Sequence, residues 1–458
     1  MHVSQQVSRF VSDGRFEALP EPVVAKAKQH IMDTLGVLIA AVHDPIAEVV
    51  MKFIEEAGGK GTCSVLGTGM KASPTHAALA NGILAHGLDY DDTSWRLIGH
   101  PSAVVLPAVM AVGELRQSPG KDVITAYVLG TEVSCKLGAA AEPQLYAAGW
   151  HATGAVGVLG ATAASGYLLG LTGDQLTHAL GIAASLAGGL RENFGSMTKP
   201  FHAGAAAQHG VTAACLAKHG FTSSVASLDG KWGFYRAFTR GEKVGEFPSP
   251  GNPFDVEDPG FFVKPYPSCA ATHTAIDGLL ALVRQHGFTG EEVVSVEIGS
   301  GPVGPLMLIH NRPNTGYEGK FSMPFVAAMA ITEGRVGIDS FADEKVRDAR
   351  VRRLMEKVRL YVEPTLANCG IDQAPALVRV VLADGRELVT RVEEAAGSPA
   401  HPMSRARLVE KYKDCTSRVL PGAKVENSVS VLADLENTRG LHVLINELVP
   451  LHGTGSID

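Results

Sequence analysis

A mainly α-helical fold, with a large all-helical body and a smaller α+β lid, is what three features of the sequence predict. Apolar side chains recur at spacings of three and four through the first half of the chain. Period-two alternation, the mark of a half-buried strand, is confined to the stretch from about residue 290 to residue 392. After residue 404 the helical texture returns. The 458 residues are 45% apolar and 19% charged, which supplies a large core and excludes a disordered chain. Glycine is abundant, at 51, and aromatics make up only 6%, so backbones are expected to approach closely. The net charge is −7, from 40 basic and 47 acidic side chains, and neither half is markedly basic. That balance excludes a dedicated nucleic-acid surface.

Taken in order, the first clear helix spans 24–42. Val24, Ala27, Ile31, Leu35, Leu38 and Val42 form one stripe, Pro20 and Pro22 mark the start, and Asp44-Pro45 marks the end. Further helices are expected near 74–87, 102–116, 120–138, 151–170, 174–187 and 203–219. The stretch from Pro143 to Gly173 contains 31 residues without Asp, Glu, Lys or Arg. It is rich in Gly, Ala, Ser and Thr and holds His151, so it reads as a buried helix rather than a membrane span. Val294, Val296 and Ile298 alternate with polar residues, as do Val358, Leu360 and Val362. Segments 378–383 and 386–392 flank Asp384-Gly385, a type I′ hairpin signature. The expected organisation is a body of 1–262 plus 396–458, and a lid of 263–395.

The six cysteines, at 63, 135, 215, 269, 369 and 415, form no C-x-x-C pair. Their scatter argues for a reducing compartment and against both a disulfide framework and a thiolate zinc site. The N-terminus lacks a basic region followed by an apolar run, so a cytoplasmic protein is expected.

Gly299-Ser-Gly-Pro-Val-Gly304 matches a dinucleotide fingerprint, but Pro302, Pro305 and Pro313 obstruct the long helix it requires. A denser cluster is His86-Gly-Leu-Asp89-Tyr-Asp91-Asp92-Thr93, followed by Gly99-His100-Pro-Ser102. Two imidazoles and three carboxylates fall within this short span. They fit a helix cap with a solvated acidic loop, a cation site, or acid–base chemistry in a cleft. His151, in Trp150-His-Ala-Thr153-Gly, fits either a satisfied core residue or a ligand contact among small neighbours. Lys199, in Gly195-Ser-Met-Thr-Lys199-Pro, is either a surface lysine or part of an anion site at a helix N-terminus. Lys264-Pro-Tyr-Pro-Ser-Cys269 lies at the domain boundary, and Cys269 alone reads as a small buried hydrophobe.

Together, in this order, these blocks and Lys320-Phe-Ser322 resemble the MmgE/PrpD family over nearly the whole chain. The resemblance implies a helical body, an α+β lid, a homodimer and a site between the two domains. It implies small di- or tricarboxylate substrates, no metal or organic cofactor, and a proton moved at the carbon next to a carboxylate. By resemblance, Asp89, His100 and His151 are candidate catalytic residues and Lys199 and Lys264 candidate substrate-binding residues; Cys269 and Thr93 join them as candidate substrate-binding residues. Cys269 and Phe325 depart from the histidine and tyrosine of the family's cis-aconitate decarboxylases. The expected activity is a lyase of the 2-methylcitrate dehydratase type. The alternatives are an epimerase of an amino- or imino-dicarboxylate and a non-catalytic carboxylate-binding protein. No nucleic-acid or membrane partner is expected.

Overall fold

The computed structural model describes residues 1–369 and 374–450. Helix α1 (Val3–Asp13), which was not among the expected helices, buries Val3, Val7 and Val11 in a short i, i+4 stripe. The body continues with α2 (Glu21–Ala40), α3 (Pro74–Gly87), α4 (Pro101–Arg116) and α5 (Gly120–Ala141). It then adds α6 (Gly157–Leu169), α7 (Gly173–Leu186) and α8 (Thr198–Lys218). Proline opens α3 and α4 at the first helical position, where its missing N–H costs nothing, and Ser73 caps α3 through the His76 amide.

The uncharged stretch is not one helix. Short turns at Gln144–Ala147 and Ala152–Ala155 precede α6, with the break at Val156. The segment Ala152–Leu169 is apolar and long enough to cross a membrane, yet 94% of it is buried inside the protein. Small residues let these helices pack backbone to backbone. A Cβ on Gly82 of α3 would lie 2.6 Å from the Cα of Gly204 on α8, and one on Gly160 of α6 would lie 2.4 Å from the Gly130 carbonyl of α5. The α3–α8 crossing matters most, because it brings the end of α3, with His86, against the start of α8, with Lys199.

The lid holds α9 (His273–His286), α10 (Met323–Glu333) and one four-stranded sheet. Its strands are β1 (Val293–Ser300), β2 (Val358–Val362), β3 (Ala376–Leu382) and β4 (Glu387–Val392), in the order β2-β1-β3-β4. β1 pairs parallel with β2 and antiparallel with β3, which pairs antiparallel with β4. Val296, Ile298, Val378 and Val380 face the lid core, as the alternation predicts. The hairpin is not type I′. Only Gly385 takes a positive φ, 86°, while Asp384 does not. Leu382 O accepts from the Gly385 amide, and Leu382 N donates to Arg386 O, which makes a three-residue loop ending on a left-handed glycine. After β1 the chain forms only a five-residue helix, Val303–Met307, too short to seat a dinucleotide.

Among the described residues two large apolar cores form, with a small third cluster of Phe262, Ala270 and Ala395. The larger runs from Val3 to Val263 and takes in Leu408 to Leu448; the smaller is the lid's, joined by Ile98 and Tyr146. The chain's return is led by α11 (Arg405–Thr416), which lies on α2 so tightly that a Cβ on Gly36 would meet Tyr412 at 3.0 Å. Within the body a two-residue ribbon, Cys63–Ser64 with Lys71–Ala72, interrupts the helices.

Candidate active site

The site is built where α3 ends. Gly87 closes the helix, and the chain turns through Asp89 with φ at +51°, a left-handed conformation in which Asp is tolerated but not favoured. The three carboxylates that follow have three different tasks. Asp89 accepts at Oδ1 from Lys199 Nζ (3.1 Å) and from Lys264 Nζ (2.7 Å), and Lys264 also donates to the Asp89 carbonyl (2.9 Å). Asp91 contacts two imidazoles. His86 Nδ1 lies 2.9 Å from Oδ2, and His100 Nδ1 lies 3.0 Å from the same oxygen, somewhat off the ideal hydrogen-bond direction. Asp92 turns away, accepting from Ser102 Oγ (2.6 Å) and facing His30 Nδ1 (2.8 Å). It pins the start of α4 and so the backbone that carries His100, the residue just before Pro101.

These bonds set proton positions. With Nδ1–H of His86 given to Asp91, its Nε2 lone pair accepts from Lys199 (3.0 Å). With Nδ1–H of His100 given to the same carboxylate, its Nε2 is left as a base, 3.8 Å from Asp89 Oδ1. His151 caps a short turn, and its Nδ1 faces His202 Nδ1 at 3.1 Å, so one ring donates and the other accepts. The His100 and His151 ring centres are 6.5 Å apart.

Electrostatics follows from burial and from the two ammonium groups. Burial pushes the Asp89 carboxyl up, but Lys199, Lys264 and the nearby imidazoles together hold it well below the usual carboxylate range. Burial, and then Lys199, drive His151 well below its ordinary value. His100 is lowered by burial and by both lysines, against the pull of Asp91. Burial lowers Lys199, opposed by Asp89, and it raises the Cys269 thiol, helped by Asp89. Burial likewise takes His86 from 6.5 to about 3, His273 to about 3 and His202 to about 4. All these imidazoles are neutral in the folded protein at neutral pH and charge freely in the unfolded chain. From the imidazoles, stability is therefore expected to fall as pH drops from 6.5 toward about 3, since the unfolded state takes up the protons, while the buried carboxyls of Glu132 and Glu142, pushed up to about 7 and about 8, act oppositely and make stability decline as pH rises toward 8. Melting temperatures across that range check this; a flat profile would contradict it.

A cavity of about 50 Å³ opens at this cluster, lined by Asp89, Thr93, His100, His151, Lys199, Lys264 and Cys269. The structure thus brings every candidate residue to one place. The two ammonium groups are not held apart, one for each end of a polycarboxylate: both sit on one oxygen of Asp89. Lys264 is fully buried rather than waiting at a domain edge. Phe325 lies in the lid core against Phe341, and the aromatic that reaches the cavity from that block is Phe321. Four features went unforeseen: the Asp91 anchor, the His202 partner, a wall of Phe194, Met307 and Phe321, and Tyr146, which lines the cavity with its buried hydroxyl unpartnered among the described residues. His86, Asp89, Asp91 and His100 place one ligand atom each within 4.8 Å of one another. Two of the potential ligand atoms in this group, Asp89 Oδ1 and His86 Nε2, already accept from ammonium groups.

Two family models match the chain, the MmgE/PrpD N-terminal domain over residues 5–246 and the MmgE/PrpD C-terminal domain over residues 266–437. The chain belongs to the MmgE/PrpD family. Among its MmgE/PrpD relatives, cis-aconitate decarboxylase from Homo sapiens is 30% identical, over 93% of this chain and 90% of its own length. The Mus musculus cis-aconitate decarboxylase is 29% identical, over 96% and 92%. The 2-methylcitrate dehydratase of Salmonella typhimurium is 25% identical, over 92% and 91%. These relatives are lyases by name, and they support a lyase-type function for this MmgE/PrpD member.

Proposed function

We propose that this protein is a cofactor-independent lyase of the 2-methylcitrate dehydratase type, acting on a small di- or tricarboxylate. The observation that carries the reading is the neutral His100 ring, backed by Asp91 and set beside two ammonium groups that share Asp89. Each lysine has already committed two of its three protons. The remaining N–H of each is available to one substrate carboxylate. His100 Nε2 then takes the proton from the carbon next to that carboxylate. The C–H electron pair passes into the carboxylate as an enolate-like dianion, which the two ammonium groups stabilise. The pair returns to form C=C as the C–O bond on the neighbouring carbon breaks. His151, with Nδ1 accepting from His202, steadies the departing hydroxyl through its Nε2–H, and the proton that His100 took from carbon passes to that hydroxyl, which leaves as water. Asp91 stabilises the imidazolium that His100 becomes, as a buried carboxylate does behind a catalytic imidazole.

A second reading, an epimerase of an amino- or imino-dicarboxylate, draws on the two imidazole systems 6.5 Å apart, which could serve as donor and acceptor for one carbon. One experiment separates these readings. The protein is incubated in heavy water, with a chelator present, against a panel of di- and tricarboxylates. A dehydratase is expected to yield an ultraviolet-absorbing alkene, and an epimerase to exchange the α-hydrogen with inversion and no loss of water. Binding of panel members without exchange, alkene or carbon dioxide would sink both and leave a carboxylate-binding protein.

A further inference from the structure

The C-terminal return contributes one buried cation that the chemistry above does not use. Lys411 of α11 is 8% exposed. Its Nζ lies 2.6 Å from Asp33 Oδ1 on α2, donates to the Tyr90 carbonyl at 2.9 Å, and sits 3.8 Å over the Tyr90 ring. Tyr90 is the residue between Asp89 and Asp91. Its hydroxyl donates to Pro265 O (3.2 Å), the residue after Lys264, so two successive residues of the site loop hold two successive residues of the 264 segment. Asp89 occupies a left-handed backbone conformation, which persists only where its surroundings over-determine it. Lys264, which lines the cavity, holds it on one side, and among the described residues Lys411 is the one side chain that bonds the adjoining Tyr90 carbonyl. A buried ion pair is a poor device for stability alone, because apolar side chains of like volume serve as well or better.

We propose that Lys411 is a positioning residue. By fixing the Tyr90 carbonyl it sets the separation and aim of Asp89, which holds the lysines, and Asp91, which orients His86 and His100. Asp33 neutralises Lys411 and keeps it in place. The assignment rests on the roles proposed for Asp89 and Asp91.

The test compares two neutral pairs, D33N/K411M and D33N/K411Q. Glutamine can still donate to Tyr90 O, and methionine cannot. Both variants are expected to melt near the wild type. The methionine pair is expected to lose turnover roughly 10²-fold with little change in KM, the cost of a misplaced catalytic group, and the glutamine pair to recover most of it. A second readout needs no substrate: ¹⁵N NMR of the histidine rings. The proton on His100 Nδ1 is expected to stay put in the glutamine pair and to redistribute between the ring nitrogens in the methionine pair. If the wild type turns over no panel member, the ring spectra still decide, so failure of the proposed activity is told apart from failure of this assignment. Equal spectra and equal turnover in the two pairs would overturn it. So would failure of either pair to fold, which would make Lys411 an anchor of the fold.

Discussion

Glutamine in place of His100 is expected to cut turnover roughly 10²–10⁴-fold, the usual worth of a positioned general base. The melting temperature is expected to stay near that of the wild type, because His100 lines the cavity and a side chain of similar reach fills its place. The ring's value as a base rests on two opposed influences. Asp91, 3.0 Å from Nδ1, favours the protonated ring, while burial and the two lysines disfavour it, and the net shift is downward. The base form therefore prevails above a pKa below the ordinary 6.5, and activity falls on the acid side of that lowered value. In His100→Gln this acid limb of kcat/KM should vanish along with most of the rate. Turnover within threefold of wild type, or an unchanged acid limb, would move the base role to another imidazole.

How much of this was legible in the sequence depends on the range of the interaction concerned. Helices announced by proline starts and by spacings of three and four, such as α2, α3 and α4, stand where those signals put them. So do the four lid strands, whose alternation is a local property. Helix α1 carried the same signal in a shorter stripe, three valines long. The hairpin went astray because Asp-Gly fits both a two-residue and a three-residue loop, and strand register decides between them. Within the site, the blocks around residues 86–102 were visible because their residues are neighbours in sequence. The assignment of Asp91 to two imidazoles and of Asp92 to Ser102 was not, since three acidic residues within four positions look alike until the backbone aims each one. The convergence of Lys199 and Lys264 on one oxygen spans 110 and 175 positions and depends on the α3–α8 crossing at Gly82 and Gly204. Nothing local encodes it. The apolar wall of Phe194, Met307 and Phe321 was hidden for a different reason: in composition these residues are ordinary core, and only the fold turns them toward a cavity.

Asn in place of Asp89 is expected to have the largest effect of any single substitution, abolishing measurable turnover and lowering stability by about 3–5 kcal/mol. The carboxylate is the shared counter-charge of two buried ammonium groups, Lys199 at 4% exposure and Lys264 at none. Asparagine keeps the shape and one acceptor but leaves both cations in low dielectric without their partner. It also frees the segment that Lys264 grips at both the carbonyl and the side chain. Acid titration gives an independent mark. The folded-state pKa of Asp89 is depressed, so its stabilising contribution is present above the ordinary 3.8 and is lost as pH falls through the lowered value. In Asp89→Asn that contribution should be missing at every pH, and the variant's deficit should shrink under strongly acidic conditions where the wild-type carboxylate is protonated too. Lys199→Met in the Asp89→Asn background removes one of the two orphaned cations, and part of the lost stability should return without any return of activity. A single Asp89→Asn variant as stable and active as wild type would show that the lysines are neutral, or held by groups other than Asp89, and would remove the electrostatic basis for carboxylate binding at this site.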